Sequence, residues 1–446
     1  MKKGSFLNIV KKKRGNSNYS GDEHGGATGQ SGSGMPDGSP GNFMFATGIE
    51  CSYPTIDNGK IRRDQLEECG HYKYWKKDLQ LVKDLGIKVL RYGLPYYTIH
   101  RGEGRYDWSF ADEVMNEMKR LKITPILDLL HFGLPEWLGN FQNPELPIHF
   151  SNYAKAVAKR YPWVRYYTPV NEIYVTAKMS AKDGAWNEQL KSDKAFVTAM
   201  KHLVAASILA THSIVQHRPD AIIIQSETAE FIHEAKSDQS QELKLINKQR
   251  LISLDLLYAY RPDSDVYNYL MDNGMTREEY DWFMKGEPPG YQVMGNDYYG
   301  RNEKIIKPDN SIAIAEDVMG WYQITKSYYD RYKKPVMHTE TNTFNPDEAP
   351  TWLWKQWINI LKMRADGVPV LGFTWYSLTD QIDWDTGLAK KNNTVNACGL
   401  YNLMREPRPV AAEYKMLLKE YGKITIFPHG ELFEVTPRNA RLKVEV

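Results

Sequence analysis

The sequence predicts a (β/α)₈ barrel. Three observations predict it: eight short apolar runs, each followed by a segment of helical spacing; a length of 446 residues, which suits one barrel with insertions; and an ordered part in which no second domain is visible. Strands alternating with helices imply parallel pairing through right-handed crossovers. On pattern alone a doubly wound sheet stays open.

The elements read in order from Phe43. Phe43 to Glu50 is the first strand, and Tyr72 to Leu85 the first helix, stopped by Gly86. Lys88 to Leu94 is the second strand, followed by a helix from about Ser109, its candidate N-cap, to Lys122. Pro125 to Phe132, then a helix from about Asn152 to Arg160 before Pro162, then Val164 to Val170 continue the alternation. A long helix spans roughly Asp193 to Gln216, and the β-branched run Ala221 to Gln225 is the fifth strand. Residues 239 to 290 are helical and loop-rich without a clear order. Gln292 to Tyr299, Pro335 to Thr339 and Pro369 to Tyr376 complete the eight, with helices from about Val318 to Tyr332, Thr351 to Ala365 and Val410 to Tyr421. Lys423 to Val446 alternates like a β-hairpin and lies outside the eightfold pattern. The domain division is therefore a Gly/Ser-rich tail over 1–42, too poor in apolar residues to fold, and one catalytic domain over 43–446.

Charge is nearly balanced, 57 basic against 55 acidic residues, so no global field points to nucleic acid or an anionic membrane. The basic run Lys11 to Arg14 reads as a solvated segment. No segment approaches membrane-span length, and the apolar run Phe6 to Val10, broken by Asn8, is too short for a signal peptide. Cys51, Cys69 and Cys398 form no CxxC pair, and the histidines form no H-x-H pair or HExxH helix; no metal and no cofactor are expected. The cytoplasm is the default compartment. Twelve Trp and 29 Tyr hint at carbohydrate, whose C–H faces pack on aromatic rings.

In such barrels chemistry sits at the C-terminal strand ends. The fourth strand ends in Asn171-Glu172 and the seventh in Glu340. Two carboxylic acids on facing strands can flank a sugar, one protonating the leaving oxygen while the other attacks the anomeric carbon or activates water. Taken singly, either glutamate reads better as solvated or paired with an arginine; the pair together, at strands four and seven, favours chemistry. Arg91, near the end of the second strand, is a candidate to hold a carboxylate ionised through paired hydrogen bonds, or an ordinary ion-pair partner. His131 offers a ring N–H to a sugar hydroxyl, or is a satisfied core histidine. The sixth strand end, Asn296-Asp-Tyr298-Tyr299, carries a phenol able to orient a carboxylate. Trp375 and, in the loop beyond, Asp380, Asp383 and Trp384 suggest a sugar platform beside acids.

These segments resemble glycoside hydrolase family 1. Thr168-Pro-Val-Asn171-Glu172 is similar to its T-x-N-E-P, Thr339-Glu340-Thr-Asn342 to T-E-N-G, His131-Phe132 to H-W, Asn296-Asp-Tyr298-Tyr299 to I-N-Y-Y, and Tyr376-Ser-Leu-Thr-Asp-Gln-Ile-Asp383-Trp384 to W-S-L-L-D-N-F-E-W. The matches run in family order over about residues 43 to 422. The resemblance implies a retaining exo-β-glycosidase acting through a glycosyl-enzyme, with Glu172 as acid/base and Glu340 as nucleophile. It implies that Asn171 bonds the sugar 2-hydroxyl, that Tyr298 and Arg91 hold Glu340, and that His131, Asp383 and Trp384 line the glycone subsite. The expected partner is a small saccharide or an aryl or alkyl β-glycoside. The chain departs from the pattern at Ile173, Thr341 and Asp383, and Glu50 is the nearest candidate for the family's glycone glutamine. Gly48-Ile-Glu50-Cys51 at strand one and Tyr161-Pro-Trp-Val at strand four look closer to a divergent branch, similar to family 1-like domains joined to dTDP-4-dehydrorhamnose-reductase-type domains. Two other readings stay open: a transglycosidase using the same glutamates, and a sugar-binding protein on a glycosidase fold.

Overall fold

In a computed structural model, residues 5–14, 41–234, 241–307, 309, 311–315 and 318–426 are described. Eight parallel strands close into a barrel in chain order: β1 (Met44–Gly48), β2 (Val89–Gly93), β3 (Thr124–Asp128), β4 (Tyr166–Thr168), β5 (Ile222–Thr228), β6 (Tyr291–Asp297), β7 (Val336–Glu340) and β8 (Val370–Trp375). β8 returns to β1 with Phe373 opposite Phe45 and Trp375 opposite Thr47, which decides for the closed barrel over the open sheet. Helices cover the outer face and side chains fill the interior. The strands are therefore buried on both sides, as in the Ile222-Ile-Ile run, rather than alternating polar and apolar.

The predicted helices appear with modest changes of boundary. His71–Asp84 is followed by Gly86 at φ 84°, the left-handed conformation glycine adopts without strain. Ser109 is the first helical residue rather than the cap; Trp108 holds the cap position, and Asp107 accepts from the Ser109 N–H and Oγ–H instead. The third helix starts earlier than expected, at Leu146, because Pro147 suits a first turn. Residues 241–283 resolve into four short helices, Gln241–Gln249, Ile252–Leu257, Ser264–Asp272 and Arg277–Phe283. Asp193–His217 is long and apolar enough to cross a bilayer, contrary to the sequence expectation that no segment is. It packs instead along Leu146–Arg160, and most of its side chains are buried there.

A second correction concerns the tail. Phe6–Arg14 is a helix, and Phe6, Leu7 and Val10 are buried. Phe6 packs edge-on against His202 and Trp282, Ser5 Oγ donates to Glu279 at 2.7 Å, and Lys11 pairs with Glu278. The Phe6-Leu7/Val10 spacing that is too short for a signal segment is enough for one docked amphipathic face. Residues 1–4 and 15–40 of the expected tail, and the hairpin expected over 423–446 beyond Ile426, lie outside the described residues. Thr425–Ile426 itself pairs with Gly41–Asn42.

Candidate active site

The C-terminal strand ends surround a pocket of about 1050 Å³, walled by Glu50, His131, Glu172, Tyr299, Glu340 and Trp384, with other residues towards its mouth.

Glu172 follows β4 at φ 38°, a left-handed turn that ends the strand and starts the helix Ile173–Ala177. Its N–H is anchored on the Ser226 carbonyl of β5 at 3.0 Å. Among the described residues no side chain hydrogen-bonds its carboxyl. Burial, then the negative charges of Asp297 and Glu227, push its pKa well above the ordinary range. Asp297, at the end of β6, has its pKa raised by burial, and its two carboxylate oxygens share the single O–H of Ser226, with Oγ at 2.8 and 2.6 Å. Ser226 thus ties Glu172 and Asp297 to one strand end.

Glu340 has the opposite surroundings. Arg91 donates to Oε1, and the Tyr299 hydroxyl donates to Oε2 at 2.6 Å. Two donors, one charged, favour a carboxylate. Burial works against the charge of Arg91, but Asp128 and Asp297 outweigh it and hold the guanidinium firmly protonated.

Arg91 also donates to Asp128 at 3.0 Å and to Asn171. His131 Nδ1 donates to Asp128 at 2.8 Å, and Asn171 Nδ2 approaches His131 Nε2 at 3.2 Å, which assigns Nε2 as an acceptor. Two expectations change here. His131 lines the pocket, but it has no ring N–H left to offer a sugar. Asn171 is fully buried, with its amide engaged by Arg91 and His131. Cys51, Asp128 and His131 bring ligand-type atoms within 4.8 Å of one another, yet Arg91 already supplies the positive charge there, and burial pushes the Cys51 thiol well up.

Glu50 lies in the pocket wall, as its candidacy requires, accepting from Gln381 Nε2 and the Ser52 N–H, both at 3.0 Å. Trp384 lies in the wall too, edge-on to Trp186 and Phe132; its indole N–H is buried with no partner among the described residues, an orphan donor that a sugar hydroxyl would satisfy.

Like Arg91 and Asn171, three further candidate residues lie outside the pocket wall. Tyr298 donates to Glu303 at 2.8 Å and stacks on Trp352. The register slips between Asn296 and Asp297, and side chains alternate from there, so Asp297 and Tyr299 point to the site and Tyr298 away. Trp375 is fully buried and donates to the Cys398 carbonyl at 3.0 Å. Asp383, at φ 57°, turns inward: its carboxylate accepts from Arg63 at 2.9 Å and from the backbone N–H groups of Asn392, Asn393 and Thr394 at 2.7–2.9 Å. Although burial opposes it, those amides hold its pKa below the usual range. Tyr299 and Asp297 were missed as individual residues; the strand-end rule applied to every second residue would have found both. Asp128, three residues before His131, carried no separate signal.

Residues 52–264 match the family model for glycosyl hydrolase family 1. The chain is 21% identical to β-glucosidase A of Thermotoga maritima over 360 residues, covering 72% of this chain and 80% of that one. It is 22% identical to the aryl-phospho-β-D-glucosidase BglH of Bacillus subtilis, covering 72% and 78%. Among solved structures, the family 1 β-glucosidase of Thermotoga maritima superposes with a TM-score of 0.72 at 18% identity, covering 85% of this chain and 98% of that one. The barrel, the paired glutamates at its mouth and these likenesses together make the chain a family 1-like glycoside hydrolase that acts on β-glycosides.

Proposed function

We propose that the chain is a retaining exo-β-glycosidase. The observation that carries the reading is the contrast between two glutamates in one pocket. Glu172 is kept neutral among acids, and Glu340 is held by Arg91 and Tyr299. Protonated Glu172 gives its proton to the leaving oxygen as Glu340 attacks the anomeric carbon. Ionised Glu172 then takes a proton from water, which displaces Glu340. Arg91 and Tyr299 hold the nucleophile, and Trp384 and Glu50 offer hydrogen bonds to the terminal sugar. The network of Arg91, Asp128 and His131 behind the pocket supports an exo mode, in which the glycone end is closed.

The relatives' names include β-glucosidases, 1,4-β-D-glucan glucohydrolases and phospho-β-glucosidases, so the test is a panel of 2-deoxy-2-fluoro glycosides that includes glucose, galactose, mannose, fucose and 6-phosphoglucose. The expected result is stoichiometric labelling of Glu340 by at least one sugar, read by peptide mass. A carboxyl separation of 7 Å or more in a crystal, against the roughly 5–5.5 Å of retaining enzymes, would remove the double displacement. Transfer to an added alcohol acceptor measures the transglycosidase share.

A further expected result concerns pH. Asp297→Asn removes a negative charge beside Glu172. The acid then ionises at lower pH, so the alkaline limb of kcat/KM moves down. An unmoved alkaline limb would show that Asp297 only packs the strand end. A cytoplasmic setting belongs to the same proposal and rests on three buried, unpaired cysteines; cell fractionation tests it.

A further inference from the structure

Beside the pocket mouth stands a small sheet that the catalytic scheme does not use. Glu303–Ile306 and Ile312–Ile314 pair antiparallel, and Phe231–Glu234 adds a third strand. Lys304 lies opposite Ile314 and Ile306 opposite Ile312, so these four side chains share one face of the ribbon. On its outer strand Ile312 is 63% and Ile314 54% exposed, an unusual investment of β-branched apolar surface at an open sheet edge. Lys304 does not make the face cationic, since its Nζ bonds Glu230 at 3.2 Å.

Position gives this face its meaning. Ile314 and Lys304 belong to the wall of the catalytic pocket, together with Phe344 and Trp352, so the apolar ribbon continues the pocket outwards. It also stands on the acid/base side. Glu230, which Lys304 bonds, is close enough to Glu172 to raise its pKa, whereas Glu50 and Trp384 lie with the glycone. A general acid sits where the leaving group departs.

We propose that the Ile312–Ile314 ribbon is a binding site for an apolar aglycone, and that the preferred substrates are β-glycosides of long-chain alkyl alcohols. The inference rests on the assignment of Glu172 as acid/base. The sugar sits at Glu50 and Trp384, the scissile oxygen meets Glu172, and the chain leaves across Trp352 and Ile314 onto Ile312. Each methylene seated there contributes roughly threefold to kcat/KM.

The test compares methyl, butyl and octyl β-glycosides of whichever sugar the labelling panel selects, below their aggregation concentrations. These alcohols leave with similar intrinsic difficulty, so chain length reports binding. The expected result is a rise in kcat/KM of about thirtyfold or more from methyl to octyl, from partial burial of the added methylenes. Ile312→Thr/Ile314→Thr, which keeps the β-branched shape that strands favour, flattens that rise to within about threefold, read as the octyl-to-methyl ratio of the variant itself. Ile312→Val/Ile314→Val retains most of it. A wild-type enzyme indifferent to chain length, or a rise that survives the threonine pair, overturns the proposal. So does a change of oligomeric state with the threonine pair while the chain-length rise is unaffected, which would make the ribbon an interface between copies. Failure to cleave any glycoside would instead remove the functional reading beneath it.

Discussion

Glu340→Gln is expected to lower kcat by about 10⁴-fold or more on every substrate, because the amide cannot form the glycosyl-enzyme. The substitution keeps the size of the side chain, and Arg91 remains bonded to Asp128 at 3.0 Å, so the barrel should fold as before. The diagnostic readout is covalent: wild type takes up one fluoro-sugar per chain and the variant none. Tyr299→Phe should produce a smaller loss in the same direction, since it removes the 2.6 Å bond to Oε2 and leaves Arg91 in place. If Glu340→Gln retained turnover within tenfold, the attacking group would have to be sought elsewhere in the pocket.

The second large effect is expected at Glu172. Glu172→Gln should cost about 10²–10⁴-fold, in a manner that depends on the leaving group. Aryl glycosides with acidic phenols need little protonation and should still form the intermediate, which then accumulates because water is no longer activated. Alkyl glycosides should fail at the first step. Wild-type activity should fall as pH rises through the raised pKa of Glu172, because the acid form is the one expected to donate. The alkaline limb should therefore vanish in the variant for substrates that need no proton. Azide added to Glu172→Ala should restore turnover and give a β-glycosyl azide. The competing source of an alkaline limb is Glu227, whose pKa burial lifts to about 8. Its carboxyl accepts backbone N–H groups of Tyr174 and Thr228 and is absent from the pocket wall, so Glu227→Gln should leave the limb in place. A limb that moved with Glu227 and not with Glu172 would reverse the assignment.

The barrel was legible because its signal is repeated. Each strand is a short apolar run, each helix has helical spacing, and Gly or Pro marks many joints; eight repetitions correct one another's boundary errors. The two glutamates were legible because strand position and chemistry agree. What failed was finer than a strand. One residue decides which side of β6 faces the site, and the slip at Asn296/Asp297 gives that place to Tyr299 instead of Tyr298. The tail helix Phe6–Arg14 was invisible because its stability comes from a socket formed by His202 and Trp282, almost two hundred residues or more away in the chain. Trp375 looked like a platform because nothing in its neighbourhood reveals the Cys398 carbonyl waiting for its indole.

Asp383 bears on any attempt to graft a new sugar preference onto this scaffold. The resemblance places a longer glutamate at this position, and lengthening Asp383 to Glu is the obvious first edit. Here the carboxylate is a latch that gathers Arg63 and three consecutive amides of residues 392–394. An extra methylene would drive it into a fully occupied cage and release the loop, without delivering an acid to the sugar. Redesign of the glycone end therefore has to begin with the loop itself, supplying another closure for residues 392–394, before the recognition chemistry at 383 can be rewritten.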